Sequence, residues 1–159
     1  MAKRFGIVTP ASDAFAVKRA VASGAAATID RGTPTKESST AVAIMADAEG
    51  TTSEQFSGLA KTVSTDTAAV AGTVEVYLPL PGLVYVGSPK VAGAADTEAE
   101  ILALCGKRII FDLTTGDWTI DTAAGDGIGN SVVIIGGNHN EDKVYFCVTH
   151  TTLNFFENN

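Results

Sequence analysis

The chain has no apolar run approaching the roughly 18 residues that a membrane-crossing helix needs. Its opening, Met1-Ala-Lys-Arg-Phe5, carries charge without the continuous apolar segment that a signal peptide places after it. Both absences lead to the expectation of a protein made in the cytoplasm, with no membrane as partner. Cysteine is scarce too: Cys105 and Cys147 stand alone inside apolar runs, with no CxxC spacing, which favours buried free thiols over zinc or a redox pair. Basic residues are outnumbered, 11 against 18 acidic, giving a formal charge of −7. A nucleic-acid backbone is repelled by such a surface unless a basic stripe outweighs the field, and Lys3-Arg4, Lys18-Arg19 and Lys107-Arg108 are isolated pairs. No nucleic-acid partner is expected.

Catalytic motifs are equally sparse. The stretch Gly125 to Ser131, "GDGIGNS", lacks the Gly-Lys-Ser/Thr ending of a phosphate loop and precedes a strand pattern rather than a helix. Asp121, Asp126, Glu141 and Asp142 fit no EF-hand spacing and read as a solvated rim. His139 lies in an exposed-turn sequence and His150 ends a strand, neither beside a recognisable nucleophile. Glu98 and Glu100 fall on different faces of a helix and cannot act as a glycosidase pair. The expectation is a protein that is not an enzyme and holds no metal or other cofactor.

What the sequence does have is short strands. With 159 residues and 45% hydrophobic content, one core is the default. Residues 1–27 have no sustained period and read as an extended arm, with "AFAVKRAVASGAAA" (14–27) as an alternative short helix. Residues 28–159 read as a single β-rich domain. Asp30-Arg31-Gly32 signals a turn, and Thr33-Pro34 opens an extended segment. Val42, Ile44 and Ala46 share one strand face, while Gln55 to Val63 forms another strand with Gly58 at a bulge or close approach. Val74, Val76 and Leu78 alternate with Glu75 and Tyr77, and Leu83–Gly87 is β-branched and aromatic again. Leu80-Pro81-Gly82-Leu83 matches a type II turn, so these two runs predict a hairpin in which Pro79 and Pro81 blunt one edge.

Further on, Thr97-x-x-Glu100 is a capping box for a helix over Glu98–Cys105 that ends at Gly106, with Ile101, Leu104 and Cys105 on the sheet-facing side. A hairpin follows around Thr114-Thr115-Gly116-Asp117, with Trp118 packed at a sheet edge. Another joins Ser131–Gly137 to Lys143–His150 across "NHNED". Leu153, Phe155 and Phe156 are apolar enough to dock on the body or on a neighbouring subunit. The predicted class is mainly β: a small barrel or sandwich of hairpins with one short helix and an extended N-terminal arm.

Across "AVAIMADAEGTTSEQFSGLAKTVSTDTAAVAGTVEVYLPLPG" (Ala41 to Gly82) the chain resembles the decoration, or cement, proteins of tailed-bacteriophage heads. The likeness runs from about Ile29 to Leu83 and lies in the order of short strands, "QFSGLAK", "STDTAA" and "GTVEVYLPLPG". It implies a structural virion protein on the outer capsid surface, bound to the major capsid protein and assembled as a homotrimer that clamps neighbouring capsomers. Under that resemblance Phe5, Ile7, Val8, Phe15 and Val17 of the arm are the expected shell contacts. Leu78, Pro79, Leu80, Phe155 and Phe156 are the expected subunit interface. The alternative is a carbohydrate or host-surface binding module of a virion, with Tyr77, Tyr85, Trp118 and Tyr145 as its stacking platform.

Overall fold

A computed structural model describes residues 5–9, 16–21, 28–38, 40–45, 56–65, 71–80, 82–114, 116–123 and 132–148. Within them, antiparallel strands make two sheets. The larger has six strands: β1 (Gly6–Thr9), β7 (Val84–Gly87), β11 (Lys143–Val148), β10 (Val132–Asn138), β8 (Arg108–Thr114) and β9 (Asp117–Asp121), in that spatial order. The smaller has five: β2 (Ala16–Ala20), β6 (Thr73–Tyr77), β5 (Phe56–Ala60), β3 (Pro34–Ser38) and β4 (Ala41–Ile44). With one short helix, α1 (Glu98–Leu104), the class is mainly β, as the sequence predicts.

Both sheets curl. In the smaller one the outer strands β2 and β4 meet again through a parallel bridge between Val21 and Val42, making a half-barrel. Six buried residues, Val21, Ile29, Val42, Ala60, Val74 and Val76, fill it. Arg19 and Glu37 stand directly opposite Val74 and Val42 on neighbouring strands and therefore face the same interior. Their side chains pair at 2.6 Å, and Ser57 Oγ donates to Glu37 at 2.8 Å. An ion pair thus spans this barrel where apolar residues give out. In the larger sheet Ile120 of β9 bonds to the segment after β7: Ile120 N–H donates to Ser88 at 3.0 Å and Lys90 N–H donates to Ile120 at 2.8 Å.

The two sheets share one aromatic core. Phe56 of β5 lies 5.3 Å from Phe111 of β8 and 6.3 Å from Tyr85 of β7, centroid to centroid. Phe146 stacks on Tyr85 at 5.5 Å, and Phe5 contacts Phe111 at 5.1 Å and Phe146 at 5.4 Å. A bulge makes the junction possible. On β5 the register with β3 slips between Gly58 and Phe56, so Phe56 and Leu59 both reach the shared core although their spacing is odd. The sequence reading of Gly58 as a bulge and close approach holds: its φ is +130°, and a Cβ there would lie 1.9 Å from the Tyr77 carbonyl oxygen.

Three expectations need correcting. Residues 5–9 and 16–21 are no free arm: β1 pairs with β7, and β2 pairs along its whole length with β6. Backbone hydrogen bonds to distant strands hold these small-residue segments, and a period-based reading cannot register such bonds. The predicted hairpin at Pro79–Gly82 is also wrong in its outcome. Its turn exists, with Leu83 N–H donating to the Leu80 carbonyl at 3.1 Å and Gly82 at φ +83°, but β6 and β7 belong to different sheets. Just before it, Leu80 N–H donates to the Leu78 carbonyl at 2.8 Å, a three-residue turn centred on Pro79. Two turns in succession carry the chain out of one sheet into the other, so Pro79 marks a corner, not a blunted strand edge; Pro81 lies outside the described residues. Third, Cys105 is exposed just past α1 and Cys147 is half-buried, so the thiols are not both core residues.

The strand expected over Gln55 to Val63 is shorter, Phe56–Ala60, and the helix stops at Leu104, one residue before Cys105, while the cap and the two later hairpins match. The capping box of Thr97 and Glu100 is complete and Gly106 has φ +84°. Hairpins join β8 to β9 and β10 to β11, the latter across a single 3₁₀ turn, His139–Glu141.

Candidate functional site

Two of the expected shell contacts, Phe5 and Val17, are built into the body. Phe5 is buried, its ring seated over Gly87 where a Cβ would stand 2.6 Å away. Ile7 and Val8 belong to β1, Val17 is half-buried opposite Val76 inside the half-barrel, and Phe15 lies outside the described residues. Of the expected subunit interface, Pro79 is buried in the corner between sheets while Leu78 and Leu80 are half-buried there. Phe155 and Phe156 lie outside the described residues. Of the stacking platform, Tyr85 and Trp118 are 0% and 3% exposed, beyond the reach of a sugar ring, while Tyr77 and Tyr145 are half-buried. Burial also pushes the Tyr85 phenol well above its ordinary value, and its hydroxyl turns inward to the Leu78 carbonyl at 3.4 Å.

Two polar constellations remain. The first sits on the outer face of β8 and β9. Lys90 Nζ bridges Asp112 Oδ1 at 2.7 Å and Asp121 Oδ2 at 3.2 Å, and Thr114 Oγ1 donates to Asp112 Oδ2 at 2.6 Å. Burial alone would raise the Asp112 carboxyl, but the bonds from Lys90, Thr114 and Thr119 together outweigh it and hold the group below its ordinary value. Lys90 is raised in turn, first by Asp112 and then by Asp121. Since Lys90 also bonds β9 through its backbone, this group is a clip on the curled sheet.

The second surrounds Asp142, a left-handed residue (φ 48°) after the 3₁₀ turn. Its carboxylate accepts from Gly93 N–H at 2.8 Å and Ala95 N–H at 3.0 Å, tying the loop before α1 to the β10–β11 hairpin. Asp96 is raised by its hydrogen bond with Glu100, while Glu100 is lowered, chiefly by Thr97. No group of three or more metal-ligating side chains occurs among the described residues. Of the acidic residues read as a rim, Asp121 is bound in the clip, Asp142 in the loop tie and Glu141 is exposed; Asp126 lies outside the described residues. His139 is exposed, as expected, and His150 falls outside them.

The candidate binding feature is the seam where the sheets meet beside β1. A groove of about 90 Å³ opens there, lined on one side by Phe5 and Gly6 and on the other by Arg31, Leu59 and Tyr77. Phe5 N–H donates to the Gly32 carbonyl at 3.2 Å, and Gly32 N–H donates to Ala60 at 2.7 Å, stitching the seam. Arg31 is exposed at its mouth. Sequence reading reached this place only as a turn, because the residues opposite Arg31 are 25 or more positions away.

Fold and site together define a mainly β two-sheet module with a narrow, partly apolar seam. Compared with protein-family models, curated proteins and solved structures, the chain matches none.

Proposed function

We propose that this chain is a structural virion protein that binds the outer surface of a phage capsid and stabilises the head as a homotrimer, clamping neighbouring capsomers. The observation that carries the reading is the aromatic weld between the sheets. Five rings from both sheets interlock, so a force on one sheet is transmitted to the other without a hinge. A brace needs that stiffness. Charged groups are engaged within the molecule, as in the Lys90 clip and the Arg19–Glu37 pair, and large apolar side chains stand on the surface: Leu102 is 74% exposed and Val91 57%. Exposed apolar residues of this size suit contact with another protein. The sequence resemblance supplies the identity of that protein, the major capsid protein.

Because Phe5 and β2 are part of the body, the proposed shell contact is made by the folded surface and not by a trailing arm. The test is co-sedimentation of the purified chain with phage heads that lack their decoration protein. Saturable binding at a fixed ratio to capsid protein, with heads that withstand higher temperature, is the expected result. Absence of binding to any such head rejects the reading.

A further inference from the structure

The seam between the sheets is lined from four separate segments: Phe5 and Gly6 at the start of β1, Leu59 and Ala60 of β5, Tyr77 of β6, and Arg31 and Gly32 of the turn before β3. Phe5, Leu59 and Ala60 are buried, so the walls are apolar and fixed by the core behind them. The main-chain donors on its border are already used: Phe5 N–H bonds to Gly32, Gly32 N–H to Ala60 and Ala60 N–H to Thr33. Lys61, whose Nζ lies 6.0 Å from the centre of the Tyr77 ring, is paired with Glu75 at 3.0 Å. Arg31 differs. It is exposed, and among the described residues no ion pair or hydrogen bond engages its side chain. The seam therefore presents apolar walls and one charged donor, a guanidinium fork whose geometry matches a carboxylate.

Size narrows the occupant further. Pockets that enclose free small molecules run to about 300–1,000 Å³, whereas the seam's volume of about 90 Å³ has room for about three waters, or three to four non-hydrogen atoms. That is the end of one side chain. We propose that the seam is a socket for a single glutamate side chain of a partner protein, its methylenes against Phe5, Leu59 and Tyr77 and its carboxylate bonded by Arg31. A leucine in the same place gives the guanidinium nothing to bond, and a larger aromatic ring exceeds the space. A free acid of this size gains too few contacts to be held on its own, while a side chain carried on a protein adds them to the rest of an interface. Recesses that take one anchoring residue are where binding energy concentrates in protein contacts, and walls that belong to the folded core need no ordering when the anchor enters. The inference rests on the proposed capsid reading, which makes the partner the major capsid protein, and adds the chemistry of the contact.

The experiment has two arms. In the first, N-acetylglutamate α-amide is titrated into the isotope-labelled full chain and followed by amide chemical shifts, beside the corresponding glutamine and leucine amides. Saturable shifts centred on Gly6, Arg31, Gly32, Leu59 and Ala60 are expected, with a Kd of about 1–10 mM, and binding of the glutamine and leucine amides about ten-fold weaker. Arg31→Gln, at an exposed position where the fold is kept, brings the glutamate amide down to the level of the glutamine amide. In the second arm, Arg31→Gln weakens co-sedimentation with heads that lack their decoration protein about ten-fold, while Lys18→Gln, at an exposed lysine of β2, leaves it unchanged. Shifts elsewhere on the molecule, or equal binding of the three amides, overturn the socket and leave the capsid reading intact. Heads that bind Arg31→Gln as they bind the parent overturn the socket's part in the contact. A parent that sediments with no such head rejects the capsid reading, and the amide titration then judges the socket alone.

Discussion

Replacing Gly58 with alanine separates two costs that the fold imposes at one position. At φ +130° an L-residue carries a backbone penalty of about 1–3 kcal/mol. The new methyl would also stand 1.9 Å from the Tyr77 carbonyl oxygen and 2.9 Å from Val76 Cγ1, so β6 has to move away from β5. Overpacking of that kind costs about 1–3 kcal/mol more. The central value of the two together, about 4 kcal/mol, is a large share of the 5–15 kcal/mol that holds a typical domain together. Gly82 is the control. It has φ +83° but nothing within 4 Å of its would-be Cβ, so alanine there meets only the backbone penalty, about 1–2 kcal/mol. The gain from stiffening the unfolded chain is common to both substitutions and cancels in the comparison. At about 2–4 °C per kcal/mol for a chain of this size, Gly58→Ala lowers Tm by about 8–16 °C and Gly82→Ala by about 2–8 °C. Calorimetry of the two variants beside the parent measures this. Equal drops would refute the reasoning, since the close approach of β5 to β6 would then carry no cost.

Phe111→Ala removes the ring that touches Phe5, Phe56 and Phe146, and should cost about 3–5 kcal/mol in denaturant unfolding. Because that ring joins the sheets, the transition should also lose cooperativity, with different midpoints by tryptophan fluorescence and far-UV dichroism; coincident curves would count against a shared core. Asp112 supplies the pH prediction. Its folded value lies below the ordinary 3.8, so the stability it contributes is complete above about pH 4 and is lost as pH falls through the lower folded value. Asp112→Asn should therefore be less stable than the parent at pH 6, with the Tm gap closing as the pH falls below about 4. A gap constant over that range would show that the clip does not act through the ionised carboxylate.

Where the sequence was legible, the signal was local. The capping box at Thr97 and Glu100, the glycine after α1, the hairpins at Gly116 and at His139, and the alternation of Val144 and Phe146 are each contained within about a dozen residues. Side-chain period and turn chemistry act over that distance, so they can be read directly. The strands at residues 6–9 and 16–20 were not legible. Val17 and Arg19 share a face with Val21, and an inward arginine breaks the apolar alternation that would have marked a strand. Its partner Glu37 lies 18 residues away, and nothing near Arg19 announces it. Cys105 failed for another reason: the helix ends at Leu104, so the residue after it leaves the buried face.

By itself the sequence determined the mainly β class, the short helix with its N-terminal capping box, the turns, and the need for glycine at position 58. These follow from backbone preferences and side-chain period, which each residue exerts on its near neighbours. The tertiary structure decided which strands became partners: that the Pro79 corner passes between sheets, that Phe56 welds them, that Lys90 finds Asp112, and that Phe5 is stitched to Gly32. Those outcomes depend on burying apolar surface from distant parts of the chain at once, a collective condition that no short stretch of residues encodes.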